Sequence, residues 1–206
     1  MSSQLTLYRR PSTKHTMIVM YLGHSVKEYR ESFLHQLNIL HLLCPFCHFE
    51  RTLIMHGSYW RNLIWEEIKE RIPIVRVLCG NCSKTHALLP DFIAPYRQYA
   101  MPVIEPIVIA VLAQGVAVEK TAGFQDVSTT KRWSQRFRSF WDDICGALQS
   151  IAIRLTDNHL PFAAEGQTSC WQQLQGLLNL LPTIQFTSRL GQANIFLTAD
   201  QTQVWL

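Results

Sequence analysis

Two Cys-x-x-Cys pairs constrain this chain more than any other feature of its sequence. The first pair is Cys44 and Cys47, the second is Cys79 and Cys82, and 31 residues separate them. Two cysteines at this spacing can bind one metal ion because a tight turn directs both sulfur atoms to the same point. Two such pairs supply the four thiolates of a tetrahedral structural site. The sequence therefore predicts Zn²⁺ bound by all four cysteines.

The alternative interpretation of these cysteines is two unrelated pairs, or disulfides. The first eleven residues are polar and basic, so they do not resemble a signal peptide. The longest apolar run, 103–113, contains Glu105 and Pro106 and is too short to span a bilayer. We therefore expect a cytoplasmic protein without a membrane partner. In that reducing setting paired cysteines more often bind metal than form disulfides.

The segment between the pairs has the pattern of a zinc ribbon, which is a β-hairpin held by a metal ion. Residues 52–61 predict a strand with a bulge or bend at Gly57, and residues 72–78 predict a second strand. Residues 64–71 look helical or irregular. Gly80, inside the second pair, suits a turn that needs positive φ. Such a small module buries little surface, so the metal would supply folding free energy.

Three histidines near the cysteines are rival ligands by sequence distance, namely His48, His56 and His86. Because four thiolates already complete a tetrahedron, we expect these histidines to lie around the site or on the surface rather than to bind the metal.

The rest of the chain divides into segments around this module, and the predicted class is α+β, mainly helical. A strand over 17–22 and a helix from Val26 to about Leu40, capped by Ser25, precede the cysteines. Residues 194–198 and 203–206 predict short strands or packing segments. The predicted units are an N-terminal strand–helix segment (1–43), a zinc ribbon and connector (44–100), a helix-turn-helix domain (101–155) and a C-terminal helical segment (156–206).

Residues 101–155 have the pattern of a helix-turn-helix. A buried helix over 102–113 and a short helix over 118–123 are followed by a turn, and Asp126 is the predicted N-cap of a long third helix. The apolar stripe of that helix is Trp133, Phe137, Phe140, Trp141, Ile144 and Leu148. The residues predicted to contact DNA lie largely off the stripe and are Ser128, Thr129, Lys131, Arg132, Gln135, Arg136 and Arg138.

The charge distribution is compatible with this interpretation. The net charge is +4, and residues 1–100 carry 12 Lys and Arg against 7 Asp and Glu, whereas residues 156–206 carry 1 against 3. Between Asp126 and Asp142 the third helix has no acidic residue. The alternative is that the basic residues form an ordinary solvated helix face.

Several short motifs together resemble a known family. They are Cys44-Pro-x-Cys47, His56-Gly57-x-Tyr59-x-Arg61, Ile74-x-Arg76-x-x-Cys79-x-x-Cys82-x-x-Thr85-His86, Pro95-Tyr96-x-x-Tyr99 and Lys131-Arg132-Trp133. Over about residues 40–140 the chain resembles a family of uncharacterised bacterial proteins with a zinc-binding region before a transposase-like helix-turn-helix. It is similar in layout to the N-terminal DNA-binding part of insertion-sequence transposases. The turn departs from the family pattern, and Thr130 stands at an apolar position.

Catalysis is not expected. The acidic residues after residue 141 are few, and no predicted strands would position them as the two-metal triad of a transposase. No phosphate-binding loop and no activated nucleophile is evident either. The resemblance implies a zinc-stabilised protein that binds double-stranded DNA, as a regulator or as the targeting component of a transposition system. Phosphate contacts from Arg51, Arg61 and Arg76 would add to those of the third helix. The C-terminal segment could form a homodimer or meet the transposition or transcription machinery.

Two other functions remain open at this point. One is a protein–protein adaptor that docks the zinc ribbon and helices onto a larger nucleic-acid machine without reading DNA itself. The other is RNA binding through the ribbon and its aromatic residues Tyr59 and Trp60.

Overall fold

One four-stranded sheet and six helices make up the part of the chain that the computed structural model describes, which is residues 17–121, 123, 125–156 and 169–200. The strands are β1 (Met17–Met20), β2 (Leu53–Trp65), β3 (Ile68–Cys79) and β4 (Thr85–Pro90). The helices are α1 (Val26–Glu28, Tyr29–Phe33 in π-helical form, and Leu34–Gln36), α2 (Met101–Leu112), α3 (Val118–Thr121), α4 (Val127–Leu155), α5 (Cys170–Asn179) and α6 (Arg189–Ala199). The predicted α+β class is confirmed.

The sheet has the strand order β1-β4-β3-β2, and β1 pairs in parallel with β4 whereas the other pairs are antiparallel. A long hairpin of β2 and β3 dominates it. The register shifts between Met55 and Gly57, and Gly57 has a φ of 117°, so the predicted bend is confirmed. The predicted helical or irregular stretch 64–71 is wrong. Both strands extend through it, and Glu66, with a φ of 55°, lies in the two-residue turn that joins them.

The N-terminal segment follows its predicted pattern over most of its length. The hydroxyl of Ser25 accepts a hydrogen bond from the Glu28 amide at 3.1 Å, as expected of an N-cap. The helix ends at Gln36, before the predicted Leu40, and Leu40 is exposed. β1, predicted over 17–22, is formed by Met17–Met20 and is the edge strand beside β4.

Four helices, α2, α3, α5 and α6, pack around α4, which is 29 residues long. Its N-cap is Asp126, whose carboxylate accepts a hydrogen bond from the Thr129 amide at 2.7 Å, as predicted. Its apolar stripe forms a core with α2, α5 and α6. Trp133, Phe137, Ile144 and Leu148 are buried there, whereas Phe140 and Trp141 are half-buried at its edge.

The C-terminal part is helical in its described residues. Cys170–Asn179 form α5, in agreement with the predicted helical segment. Residues 194–198 belong to α6, so of the two alternatives predicted for them the short strand is wrong. Ser188 caps α6, and Leu190, Ala193 and Leu197 are buried at helical spacing. That amphipathic spacing overrides the β-forming tendency of the local sequence. The predicted segment 203–206 lies outside the described residues.

A buried carboxylate joins the sheet to the C-terminal helices. Asp91, directly after β4, is inaccessible to solvent and accepts hydrogen bonds from the amide and the hydroxyl of Thr187, the latter at 2.9 Å. Nearby, the Leu190 amide donates to Glu105 at 2.7 Å. Burial raises the pKa of Asp91 to about 6, although its hydrogen bonds with Thr187 and the proximity of His24 oppose that rise.

This raised pKa predicts a specific dependence of stability on pH. The native state favours the protonated carboxyl, so the stabilisation is fully present below the ordinary pKa of 3.8 and is lost as pH rises through about 6. Between pH 7 and pH 5 the free energy of unfolding of the wild type should therefore increase by about 1 kcal/mol relative to Asp91→Asn. Urea unfolding of both proteins at pH 5 and pH 7, with metal in excess, measures this difference in the free energy of unfolding. Effects of pH that are common to the two proteins cancel in the comparison. Parallel pH profiles would contradict it.

Candidate metal centre and basic surface

The fold brings the four cysteines of the two pairs together. Their sulfur atoms all lie within 4.8 Å of one another. Cys44 and Cys82 are 3.7 Å apart, and Cys47 and Cys79 are 3.6 Å apart. In a tetrahedral site with metal–sulfur bonds of about 2.3 Å, neighbouring sulfurs are about 3.8 Å apart. The cluster can therefore hold a metal ion with small adjustments of the side chains.

The two cysteine turns have the same backbone structure. In each, the amide of the first cysteine donates to the carbonyl five residues later, and its carbonyl accepts from the amide four residues later, at 2.9–3.1 Å. The residue after the second cysteine adopts a left-handed conformation in both, with φ of 60° at His48 and 57° at Ser83. The sequence-based expectation of positive φ at Gly80 is wrong, because Ser83 takes that role. The site thus consists of two equivalent turns that face each other.

Side chains around the cluster contact two of the sulfurs. The Thr52 hydroxyl lies 3.2 Å from the Cys79 sulfur, and His86 Nε2 lies 3.3 Å from the Cys44 sulfur. His86 is buried, so it is a neighbour of the site as expected, while His48 and His56 are exposed. Such contacts fix the orientation of ligating groups.

These surroundings affect the thiols unequally. Burial raises the pKa of Cys44 to about 12. Burial also acts to raise the pKa of Cys79, but hydrogen bonds from Thr52 and from backbone amides of the second turn outweigh it and lower this pKa to about 6. A metal cation would displace the remaining protons, because only the thiolate is a good ligand.

The predicted DNA-contacting residues are only partly on one surface. Ser128, Lys131, Arg132, Gln135 and Arg138 are exposed. They occupy the face of α4 opposite its buried stripe, as their helical spacing requires.

Two other predicted residues have structural contacts. Arg136 is half-buried, with its guanidinium 4.7 Å from the centre of the Phe140 ring. Thr129 is buried, and its hydroxyl donates to Asp126 and accepts from Arg132, each at 3.0 Å. The prediction that Thr129 lies on the exposed face is therefore wrong, because Thr129 is part of the helix cap. Thr130, at the apolar position of the family pattern, is fully buried.

A further cation on this surface, Arg97, was missed from the sequence. Burial lowers the pKa of Arg97, and the positive charges of Arg136 and Arg132 lower it further. Arg97 and Arg136 also line one small pocket beside Trp133. Among the residues that the structure describes, none of the three forms an ion pair with a carboxylate. Since Arg97 is distant from α4 in sequence, no local signal could have placed it there.

The sheet holds this surface in place. Arg61 on β2 donates from its guanidinium to the carbonyls of Ala94, at 2.7 Å, and Arg97. Tyr99 then packs edge-on against Trp133 of α4, with ring centres 5.0 Å apart. One guanidinium nitrogen of Arg61, which is predicted to contact phosphate, is therefore used for contacts inside the protein.

The other two arginines predicted to contact phosphate differ in their surroundings. Arg76 is half-buried and donates to the Thr85 hydroxyl at 2.9 Å. Arg51 is exposed. Of the three predicted contacts, Arg51 is thus the one whose side chain lies on the surface.

Within the described residues, none of the helices combines the length and the apolar character needed to cross a membrane.

Comparison with known proteins gives one match. Residues 44–133 match a family model described as a domain of unknown function, DUF6431. No curated protein and no solved structure matches the chain. The matched region begins at the first cysteine and ends at Trp133, in the second turn of α4, so it contains the whole cysteine cluster and the start of the basic helix.

Proposed function

We propose that this protein is a zinc-stabilised, non-catalytic DNA-binding protein. The two equivalent turns and the β2–β3 hairpin would form a zinc ribbon, with Zn²⁺ held by the four cysteines. Zn²⁺ is the preferred metal because it favours four thiolates in a tetrahedron and the sulfur spacings of 3.6 and 3.7 Å are close to that geometry. The ion would have a structural role, since four protein ligands leave no open coordination position for a substrate.

The observation that carries the DNA-binding proposal is the cluster of Arg97, Arg132 and Arg136 on the basic surface. Three guanidiniums without an ion-pair partner in the described residues repel one another, and phosphates would relieve that repulsion. Lys131 and Arg138 extend the positive charge along α4. Asp126 is the nearby acid, but its carboxylate is engaged by Ser128 and by Thr129, and these hydrogen bonds lower its pKa to about 2.

The three-helix arrangement supports a helix-turn-helix. α2, α3 and α4 contact one another, and α4 follows α3 after a short turn. The exposed side chains in the first turns of α4 would then enter the major groove, where Arg and Gln suit base edges and Lys and Ser suit phosphates. The family match covers the cysteine cluster and these turns together.

The biological role that fits the resemblance is a regulator or a targeting component associated with a mobile element. In that role the protein would bind double-stranded DNA in the cytoplasm, at the nucleoid, and would hand it to transposition or transcription machinery. The C-terminal helices, α5 and α6, are the part that could form a homodimer.

A DNA-binding measurement tests this proposal directly. Duplex sites selected from a random library should bind the wild type, and Arg132→Ala should weaken that binding about tenfold because one guanidinium is lost. If four phosphates are contacted, raising the salt concentration from about 50 to 200 mM should weaken binding about a hundredfold. Fluorescence anisotropy with a labelled duplex measures both effects.

The matched control is Arg154→Ala. Arg154 lies on the same helix, about 33 Å from Arg132 along its axis, and forms an exposed ion pair with Asp200. Its loss should leave DNA affinity within about twofold. An affinity that is insensitive to both salt and Arg132→Ala would contradict the proposal.

A second function, the protein–protein adaptor, has its own supporting observation. Six of the twelve large hydrophobic side chains that are exposed in the described part of the chain lie between residues 40 and 55, around the first cysteine turn: Leu40, Leu43, Phe46, Phe49, Ile54 and Met55. Exposed apolar groups in such density are typical of partner-binding surfaces. Absence of any DNA complex at low salt, with the fold intact, would favour this function.

A further inference from the structure

A cavity of about 290 Å³ on one face of the sheet is not explained by the metal centre or by the basic surface of α4. Its polar walls come from four parts of the chain and consist of Tyr59 and Arg61 on β2, Arg76 on β3, Thr85 and His86 on β4, and Tyr96 in the next loop. All six belong to the motifs that carry the family resemblance. His86 also contacts the Cys44 sulfur, whereas each of the other five carries a hydrogen-bond donor, and no acidic side chain of the described residues lines the cavity.

Two cations lie in the wall without a counter-charge. Arg61 and Arg76 are half-buried, and within the described residues neither forms an ion pair with a carboxylate. Burial lowers the pKa of Arg61, which means that the fold disfavours its charge. Arg61 uses one guanidinium nitrogen for the carbonyls of Ala94 and Arg97, and Arg76 uses one N–H for the Thr85 hydroxyl at 2.9 Å. Since a guanidinium has five N–H groups, both arginines keep further donors. An oxyanion in the cavity would offset the desolvation of Arg61 and give Arg76 a counter-charge.

The size and the remaining walls restrict what such an anion can be attached to. Met17, Ala87 and Leu89 supply an apolar part, and the rings of Tyr59 and Tyr96 are 39% and 60% exposed. Exposed aromatic rings suit stacking on a nucleobase. A volume of about 290 Å³ is at the small end of ligand pockets, so the cavity suits a single small molecule and excludes a duplex.

We propose that this cavity binds one nucleotide, with its phosphate at Arg61 and Arg76 and its base against a tyrosine ring. A phosphate fits better than a carboxylate because its three oxygens can accept bonds from both guanidiniums and from the hydroxyls of Tyr59 and Thr85. Residues 1–16 precede the cavity wall at Met17, and they contain three Lys or Arg but no Asp or Glu, so their side chains cannot neutralise it. The nucleotide could be free or could be the 5′-phosphorylated end of a DNA strand.

Calorimetric titration of the zinc-loaded full chain tests this proposal. The probes are deoxyadenosine monophosphate, deoxyadenosine without phosphate, and a six-nucleotide single strand with and without a 5′-phosphate. We expect the phosphate to strengthen binding about tenfold or more in at least one of the two pairs. Arg76→Met should weaken that binding about ten- to a hundredfold, and Tyr96→Ala should weaken it severalfold.

The matched control is Arg71→Met, also on β3, whose exposed guanidinium lies over Trp60 and does not line the cavity. It should leave the affinity for all four probes within about twofold. The deoxyadenosine monophosphate pair contains no DNA strand, so it separates this cavity from the DNA-binding proposal. Binding by the monophosphate alone identifies a free nucleotide as the ligand, and binding by the 5′-phosphorylated strand alone identifies a strand end. Equal affinity with and without phosphate in both pairs, or wild-type affinity in a folded Arg76→Met protein, would overturn the proposal.

Discussion

Removal of the metal should unfold the part of the chain around the four cysteines. Only a small apolar cluster lies there, formed by Cys44, Leu53, Val75, Val77, Cys79 and Leu88. Two of its six buried members, Cys44 and Cys79, are proposed metal ligands, so the cluster would lose part of its support together with the ion. Structural zinc contributes about 10–16 kcal/mol of apparent binding free energy in isolated zinc-finger peptides, and we expect a loss of several kcal/mol here.

Cys47→Ser is the most specific test of metal removal, because Cys47 is half-buried and its substitution removes one proposed ligand with little loss of packing. The purified wild type should contain one zinc ion per chain, and the variant much less. Hydrogen exchange should show lost protection in both cysteine turns, while the core around α4, which contains none of the four cysteines, keeps its protection.

Cys145→Ser and Cys170→Ser are the matched controls, since both residues are half-buried cysteines outside the cluster. Both variants should bind zinc as the wild type does. A wild type that keeps its free energy of unfolding in excess chelator would show that the cluster is not a structural metal site.

Gly191→Ala should destabilise the protein by about 1–3 kcal/mol, although alanine is the better helix former. A Cβ atom added at Gly191 would lie 2.8 Å from the carbonyl oxygen of Asp91 and 3.0 Å from its carboxylate. The backbone carbonyl cannot move without disturbing the buried contact between Asp91 and Thr187. The substitution therefore pushes α6 away from the end of β4. Urea unfolding of the zinc-saturated protein measures the loss.

Gly176→Ala is the matched control for this prediction. Gly176 lies in the middle of α5, and nothing lies within 4 Å of a Cβ atom built there. This substitution should stabilise the protein by about 0.5–1 kcal/mol, because alanine loses less backbone entropy in a helix. The opposite signs of the two changes are the test, and a Gly191→Ala protein as stable as the wild type would contradict the proposed close approach.

The sequence predicted best those features that depend on local chemistry. Ser25 and Asp126 cap their helices as expected, Gly57 marks the irregularity of β2, and the four cysteines meet. Each of these requires a particular residue type at a particular backbone position, so a short pattern is sufficient to indicate it.

The failures arose where distant contacts decide local structure. The stretch 64–71 contains good helix formers, but pairing between β2 and β3 along its whole length makes it a hairpin. Likewise 194–198 is rich in strand formers, yet burial against the sheet and the other helices makes it α6. Arg97 and Arg136 are distant in sequence but line one pocket, and the polar wall of the cavity comes from four separate parts of the chain. No short stretch of the sequence contains all the residues that form any one of these arrangements.

Helix α6, near the end of the described residues, covers the edge of strand β1, near their beginning. β1 is an edge strand, and the Val19 amide donates not to another strand but to the hydroxyl of Thr198 on α6, at 3.1 Å. An open edge with a free amide can recruit a strand from another molecule, so α6 acts as a guard against aggregation. During synthesis β1 becomes an edge strand only after β4 has emerged, and α6 ends about 110 residues after β4, which takes roughly 5–20 s at typical translation rates. For that interval the nascent chain carries an unguarded edge, and it is the stage at which a chaperone would matter most.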